Sequence, residues 1–202
     1  MSSKAVFPDL FFIRHGETDW NREGRLQGRR DVDLNALGRR QSVAAGERLA
    51  RLLAARGLDP EALDFVASPL SRTCDTMVLL RGALGLDGEP FRRDDQLLEL
   101  SFGRWEGRTW PEIKRSDPAA AEERRRDRWR FVPPGGESYA MLEGRVAAWL
   151  GGLADNAVVV AHGGVARVLL HLMAGLAKTR APVAEISQGR VLVFRSGAAH
   201  WA

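Results

Sequence analysis

The stretch Ala157-Val158-Val159-Val160-Ala161-His162-Gly163-Gly164 decides the fold of this chain. Its first five residues are apolar, three of them β-branched, with no polar residue interleaved. A strand of that kind has no face to offer to water, so both of its sides must be covered. Two further segments follow the same plan. Leu10-Phe11-Phe12-Ile13 runs into Arg14-His15-Gly16, and Asp64-Phe65-Val66-Ala67 runs into Ser68-Pro69-Leu70. Residues 190–195 offer a weaker strand candidate, and His200-Trp201 a last short one.

Helical signals fill the gaps between these strands. A polar loop follows Gly16 as far as Leu34. Asn35 suits a helix N-cap, Val43, Glu47, Ala50 and Leu53 recur near helical spacing, and Gly57 is a stop signal. Residues 71–82 read as a helix, 94–108 as an irregular segment carrying Glu99, and 110–129 as helix in pieces broken at Pro111 and Pro118. Pro133-Pro134-Gly135-Gly136 is a turn, Glu137-Ser138 opens a helix to about residue 153, and 165–176 is the next one. Apolar strands alternating with helices predict an α/β protein, a three-layer α/β/α sandwich with a mostly parallel central sheet. The 202 residues contain no strong repeat and no long Gly/Ser or Pro-rich linker, so residues 1–202 are expected to form one domain.

Composition narrows the classes. Hydrophobic residues make up 45% and charged residues 28%, as in a globular protein. The net charge is +4, and the bases are nearly all arginine, with Lys4, Lys114 and Lys178 the only lysines. Guanidinium offers a planar donor fork to phosphate, so arginine placement carries information that the total does not. The single cysteine, Cys74, rules out an internal disulfide or a cysteine metal cluster. The N-terminal residues 1–9 lack the apolar core of a signal peptide, and no apolar run reaches membrane-spanning length. The chain is expected to be cytoplasmic, with no membrane partner, as a monomer or homodimer.

Polar clusters stand at three strand ends, where open α/β sheets place their ligands. Arg14 beside His15 repels a cation and attracts an anion, and Gly16 lets a ligand approach closely. His162 precedes Gly163-Gly164 at a helix start, a natural anion site. Arg72 sits in the first turn of a helix, where a positive charge opposes the macrodipole unless an anion lies between. Glu99, between leucines, is expected to be partly desolvated, which suits a general acid; Glu106 is the rival carboxylate.

These segments, in order, resemble the histidine phosphatase superfamily, the phosphoglycerate mutase-like family. The matching stretches are Arg14-His15-Gly16-Glu17-Thr18-Asp19-Trp20-Asn21, Gly24-Arg25-Leu26-Gln27-Gly28, Ser68-Pro69-Leu70-Ser71-Arg72-Thr73, Glu99 to Gly107, Pro134-Gly135-Gly136-Glu137-Ser138 and Ala161-His162-Gly163-Gly164. The resemblance implies that His15 is a nucleophile forming phosphohistidine. It implies that Arg14, Arg72 and a protonated His162 surround the phosphoryl group. Asn21 and the Gly163 amide match further donors, Gln27 and Gly28 a loop near the substrate, Glu99 the proton donor, and Glu137-Ser138 a supporting segment. It implies a small phosphorylated substrate, with no metal and no cofactor.

The same pocket could return the phosphoryl group to a substrate hydroxyl, as in a phosphoglycerate mutase. The family's mutases resemble a longer chain with an insertion and Glu-Arg-His-Tyr-Gly around the acid. Here the acid is followed by Leu100-Ser101-Phe102-Gly103-Arg104-Trp105-Glu106-Gly107, which resembles the phosphatase branch. A phosphatase acting on small phosphate monoesters is therefore expected, with a mutase as the alternative. The run Arg124-Arg125-Arg126-Asp127-Arg128-Trp129-Arg130 is read as a solvated helix face or a cover over the site, and no nucleic-acid partner is expected.

Overall fold

A computed structural model describes residues 7–202. The N-terminal reading lies outside the described residues as far as residue 6. The architecture is α/β: six strands form one sheet in the order β3-β2-β4-β1-β5-β6. These are β1 (Leu10–Arg14), β2 (Asp64–Ala67), β3 (Arg92–Arg93), β4 (Ala157–Ala161), β5 (Leu192–Arg195) and β6 (Ala198–Trp201). The first four run parallel, while β5 is antiparallel to β1 and β6 to β5. Leu10–Arg14 and the valine strand are neighbours, each shielded on both sides, which is why neither alternates.

Period-two geometry divides each strand between two cores. On one face Leu10, Phe12, Val159 and Ala161 pack against α6 (Tyr139–Gly151) and α7 (Gly163–Ala174) through Leu142, Val146, Val165 and Leu169. On the other, Phe11, Ile13, Val158 and Val160 meet α2 (Ala36–Arg56) and α3 (Ser71–Ala83) through Ala45, Leu49, Met77 and Leu80. These layers are the expected sandwich. No helix among the described residues is long and apolar enough to cross a membrane.

Local chemistry sets the ends. Asn35 accepts from the Gly38 amide as the N-cap of α2, and Gly57 closes that helix at a φ of 62°. Of the four residues that recur at helical spacing, only Leu53 is buried. Ser42, Ala45, Gly46, Leu49 and Leu53 turn inward, while Val43 and Glu47 face solvent. Small residues let α2 approach α3 closely, and that proximity outweighs the hydrophobicity of Val43. The loop after Gly16 contains a short helix, α1 (Asp19–Arg22), held by a reciprocal Thr18–Asn21 capping box. Pro111 does not break a helix. It occupies the second position of α4 (Trp110–Ser116), where its missing N–H costs nothing. Pro118 likewise opens α5 (Pro118–Arg126).

A Cβ at Gly46 would lie 2.6 Å from the Leu80 carbonyl oxygen and 2.7 Å from the Ala83 Cβ. Gly46→Ala is therefore expected to destabilise by about 1–3 kcal/mol through overpacking, despite the better helix propensity of alanine. Urea unfolding with an unchanged m-value checks this; a gain in stability would contradict the close α2–α3 approach.

Candidate active site

Three strand ends meet because β2, β4 and β1 are consecutive in the sheet. Arg14 pairs in register with Ala161, and Ala67 with Val160. Beyond the last pairs, the His15 amide donates to the Ala161 carbonyl at 3.0 Å and the Ser68 amide to the Val160 carbonyl at 3.0 Å. His15 and His162 therefore emerge side by side, with ring centroids 5.2 Å apart.

His15 is buried, and its Nδ1 lies 2.7 Å from the Gly16 carbonyl oxygen. A carbonyl only accepts, so Nδ1 carries the proton and the lone pair is on Nε2. Burial, then the charges of Arg72 and Arg14, push the His15 pKa well below the usual imidazole value. The ring is a neutral base with a free lone pair.

Arg72, the second residue of α3, is fully buried. Its Nη1 donates to the Arg30 carbonyl at 2.7 Å and its Nη2 to the Gly28 carbonyl at 2.9 Å. Gly28, at a φ of 54°, has no room for a Cβ beside the Glu106 carboxylate. Its carbonyl is one of the two that seat Arg72. Arg14 donates from Nη1 to the Ile186 carbonyl at 2.9 Å. Its pKa falls to about 10, chiefly through burial and next through the charge of Arg167. Arg14 Nε, Arg72 Nε and His162 Nδ1 are buried without a protein partner.

His162 is the N-cap residue of α7, and its Nε2 lies 2.8 Å from Ser68 Oγ. Burial, followed by the charges of Arg72, His15 and Arg14, pushes its pKa well down. This corrects the expectation of a protonated His162. Two arginines already charge the pocket, and a third buried cation would be costly. His162 enters the site as a neutral ring.

Glu99 is partly buried and near enough to Arg14 and Arg72 for its charge to act on both. Its carboxyl group accepts from the Gly164 amide at 3.1 and 3.2 Å and from the Leu100 amide at 2.8 Å. A Cβ at Gly164 would overlap Glu99 Oε1, so the second glycine of the pair belongs to the acid. Gly163 leaves the space in front of Arg14 and Arg167 open and is the first residue of α7, its amide among those the helix leaves unpaired. Glu106 does different work from Glu99. Its Oε1 accepts from the Arg29 and Phe102 amides, both at 3.1 Å, tying the 27–30 loop to the Glu99 segment.

Asn21 and Gln27 are the remaining expected residues. Asn21 Oδ1 accepts from the Thr18 amide and from Gln188 Nε2, which leaves Nδ2 as its donor end. Gln27 is buried with an unpartnered Oε1. Several supports escape sequence reasoning. Arg145 donates from Nη2 to the Glu99 carbonyl at 3.2 Å and forms a two-armed pair with Glu137, 2.9 Å at Nε. Gln188 holds both Asn21 and the His15 carbonyl. Tyr139 and Arg167 flank Glu99 and Arg14. No local pattern marks these residues, although Glu137-Ser138 points to the segment. Among the described residues no group of His, Cys, Asp or Glu side chains is placed to hold a metal ion.

Two buried neutral histidines give a signed pH dependence. The unfolded chain takes up protons below about pH 6.5 while the folded rings do not, so stability is lost as pH falls through that value. The expected slope is about 1 kcal/mol per pH unit for each histidine. Urea unfolding between pH 7.5 and 5.5 measures it. His162→Asn should remove roughly half of the slope, and an unaltered slope in that variant would contradict the assignment.

Comparison with known proteins agrees with this geometry. The family model for the histidine phosphatase superfamily (branch 1) matches residues 10–202. A glucosyl-3-phosphoglycerate phosphatase from Mycolicibacterium vanbaalenii is 36% identical over 186 residues, covering 86% of this chain and 77% of that protein. A 2,3-bisphosphoglycerate-dependent phosphoglycerate mutase from Beijerinckia indica is 31% identical, covering 92% of this chain and 90% of its own. Length therefore does not separate the two activities. The crystal structure of the alpha-ribazole phosphatase from Shigella flexneri superposes with a TM-score of 0.78 at 25% identity, covering 96% of this chain and 94% of that one. The chain belongs to the histidine phosphatase superfamily, and it is a phosphatase of the histidine type, a phosphoric monoester hydrolase.

Proposed function

We propose that this chain hydrolyses small phosphate monoesters through a phosphohistidine formed on His15, with Glu99 as proton donor. One observation carries the reading. In the residues that neighbour His15, three buried nitrogens, Arg14 Nε, Arg72 Nε and His162 Nδ1, have no protein acceptor. Buried donors are ordinarily satisfied, and an anion with three oxygens would satisfy these. Ser68 Oγ–H donating to His162 Nε2 would place the ring proton on Nδ1, the nitrogen facing that anion. The Gly163 amide and Asn21 Nδ2 complete the donor set, and Gln27 and Gly28 shape the loop beside it. The family match over residues 10–202 and the single sheet favour one domain.

The chemistry follows from this arrangement. His15 Nε2 attacks phosphorus, the ester P–O bond breaks, and the arginines hold the equatorial oxygens as charge spreads over them. The departing oxygen takes the proton of Glu99. Glu99 then takes a proton from water as that water attacks the phosphohistidine. The N–P bond breaks, phosphate leaves, and Glu99 is protonated again. Arg145, bonded to the Glu99 backbone, fixes where the acid stands. Leu100 to Gly107 and the phosphatase relatives favour water over a second substrate hydroxyl as acceptor.

Glu99→Gln is expected to lower kcat/KM, which reports the transfer to His15 and not the later hydrolysis, by about 10²–10⁴-fold on an alkyl phosphate and much less on p-nitrophenyl phosphate, whose phenolate leaves without a proton. Equal losses on both esters would remove the acid role from Glu99. His15→Ala should abolish turnover and the acid-labile phosphoenzyme trapped on rapid quenching; a fully active His15→Ala protein overturns the mechanism. With 3-phosphoglycerate, release of free phosphate is expected. Isomerisation without release would favour the mutase.

A further inference from the structure

The segment that carries the acid has no regular structure of its own. Leu98 to Phe102 lies between two short 3-10 turns, Asp95–Leu97 and Gly103–Trp105, so no helix or sheet ladder fixes its backbone. An acid on such a stretch must be held by other means, because a displacement of about 1 Å at a reacting group can cost on the order of a hundredfold in rate.

Glu137 is placed to provide that hold. It stands just before α6, with 9% of its side chain exposed. A buried carboxylate is costly unless it is paired and hydrogen-bonded. Arg145, on α6, satisfies it with a fork, Nε to Oε1 at 2.9 Å and Nη2 to Oε2 at 3.0 Å. The fork fixes the guanidinium plane. That plane delivers its remaining donors to the acid's own segment, Nη1 to the Gln96 carbonyl and Nη2 to the Glu99 carbonyl at 3.2 Å. On the other side of the acid, the Glu137 amide donates to the Ser101 carbonyl at 2.9 Å.

Arg29 brings the phosphate side into the same cluster. It belongs to the loop whose Gly28 and Arg30 carbonyls hold Arg72. Its Nη2 lies 3.4 Å from Glu137 Oε2, and its Nε lies 3.5 Å from the Glu99 carbonyl oxygen. Both contacts are long and 44% of the side chain is exposed, so Arg29 is the weaker arm. Two guanidinium groups thus share one carboxylate and one carbonyl oxygen, and Glu137 is the charge that lets them stand together.

We propose that Glu137 is a positioning residue for the proton donor: through Arg145, and more weakly through Arg29, it locks the Glu99 backbone to the loop that seats Arg72. The proposal rests on the phosphatase reading above, in which Glu99 protonates the leaving oxygen. Glu137 acts on the reaction only through the Glu99 main chain. Its loss is therefore felt by esters that need the proton and spared by those that do not.

A leaving-group comparison tests this on the intact protein. Phenyl phosphate needs the proton far more than p-nitrophenyl phosphate does, and the two esters are close in shape. Glu137→Gln keeps the side-chain shape and removes the charge. It is expected to lower kcat/KM on phenyl phosphate about tenfold more than on p-nitrophenyl phosphate, a part of the roughly 10²–10⁴-fold that a well-placed acid supplies. Arg29→Gln leaves no buried charge unpaired and should show the same selectivity at about two- to threefold. In a Glu99→Gln background neither substitution should add selectivity, since no acid remains to be placed. Because each readout is a ratio of two esters, loss of folded enzyme cancels. Equal losses on both esters from Glu137→Gln, or a selectivity that persists at full size in the Glu99→Gln background, overturn the clamp. Where Glu137→Gln does not fold, an unselective Arg29→Gln overturns it. An unselective Glu99→Gln removes the acid role and the clamp together, whereas a selective Glu99→Gln beside an unselective Glu137→Gln removes the clamp alone. Wild-type protein that hydrolyses neither ester overturns both readings.

Discussion

Parallel pairing of β1 and β2 with the valine strand between them is the constraint on which the site depends. Adjacent strands lie about 4.8 Å apart, and their carboxyl ends point the same way. With Arg14 opposite Ala161 and Ala67 opposite Val160, the next residues in each chain are His15, His162 and Ser68. A slip of one residue would turn each of these side chains to the opposite face. Register is held by the two cores, because every residue of β4 is buried on one side or the other.

Electrostatics then work against that framework. Arg14 and Arg72 are held where desolvation opposes their charge, and their outer nitrogens are spent on the carbonyls of Gly28, Arg30 and Ile186. Those bonds fix the guanidinium planes and leave Nε of each directed elsewhere. Burial, aided by the same positive field, keeps both imidazoles neutral and so leaves a lone pair on His15. A neutral His162 loses the charge expected of it but remains a donor, and the arginines supply the field. Glu99 is held by the Gly164 and Leu100 amides at its carboxyl group and by the Arg145 side chain at its carbonyl.

Much of this was legible in the chain before any coordinates. Uninterrupted apolar strands announced a doubly covered sheet, Asn35 and Gly57 bounded α2, and polar clusters stood at three strand ends. The errors have identifiable causes. The spacing of Val43, Glu47, Ala50 and Leu53 marked a helix but not its buried face, because α2 meets α3 through the small residues Ser42, Ala45 and Gly46. The helix Asp19–Arg22 was hidden because a four-residue element has no periodicity to read. Arg145, Gln188 and Arg167 were invisible as site residues, since Arg145 and Gln188 act on segments far away in sequence and all three sit in otherwise ordinary segments.

The sequence by itself determined what is local: which segments are strands, where helices start and stop, and which residue types could hold a phosphoryl group at a strand end. Strand chemistry, capping and glycine conformations act within a few residues, so they can be read along the chain. Only the tertiary structure decided protonation and partnership. Whether a histidine is charged depends on what buries it and on how many arginines face it. Whether an arginine is paired depends on carboxylates brought from distant segments. For that reason His15 could be picked out from its neighbours in sequence, while the neutrality of His162 and the pairing of Arg29 and Arg145 with Glu137 emerged only from packing.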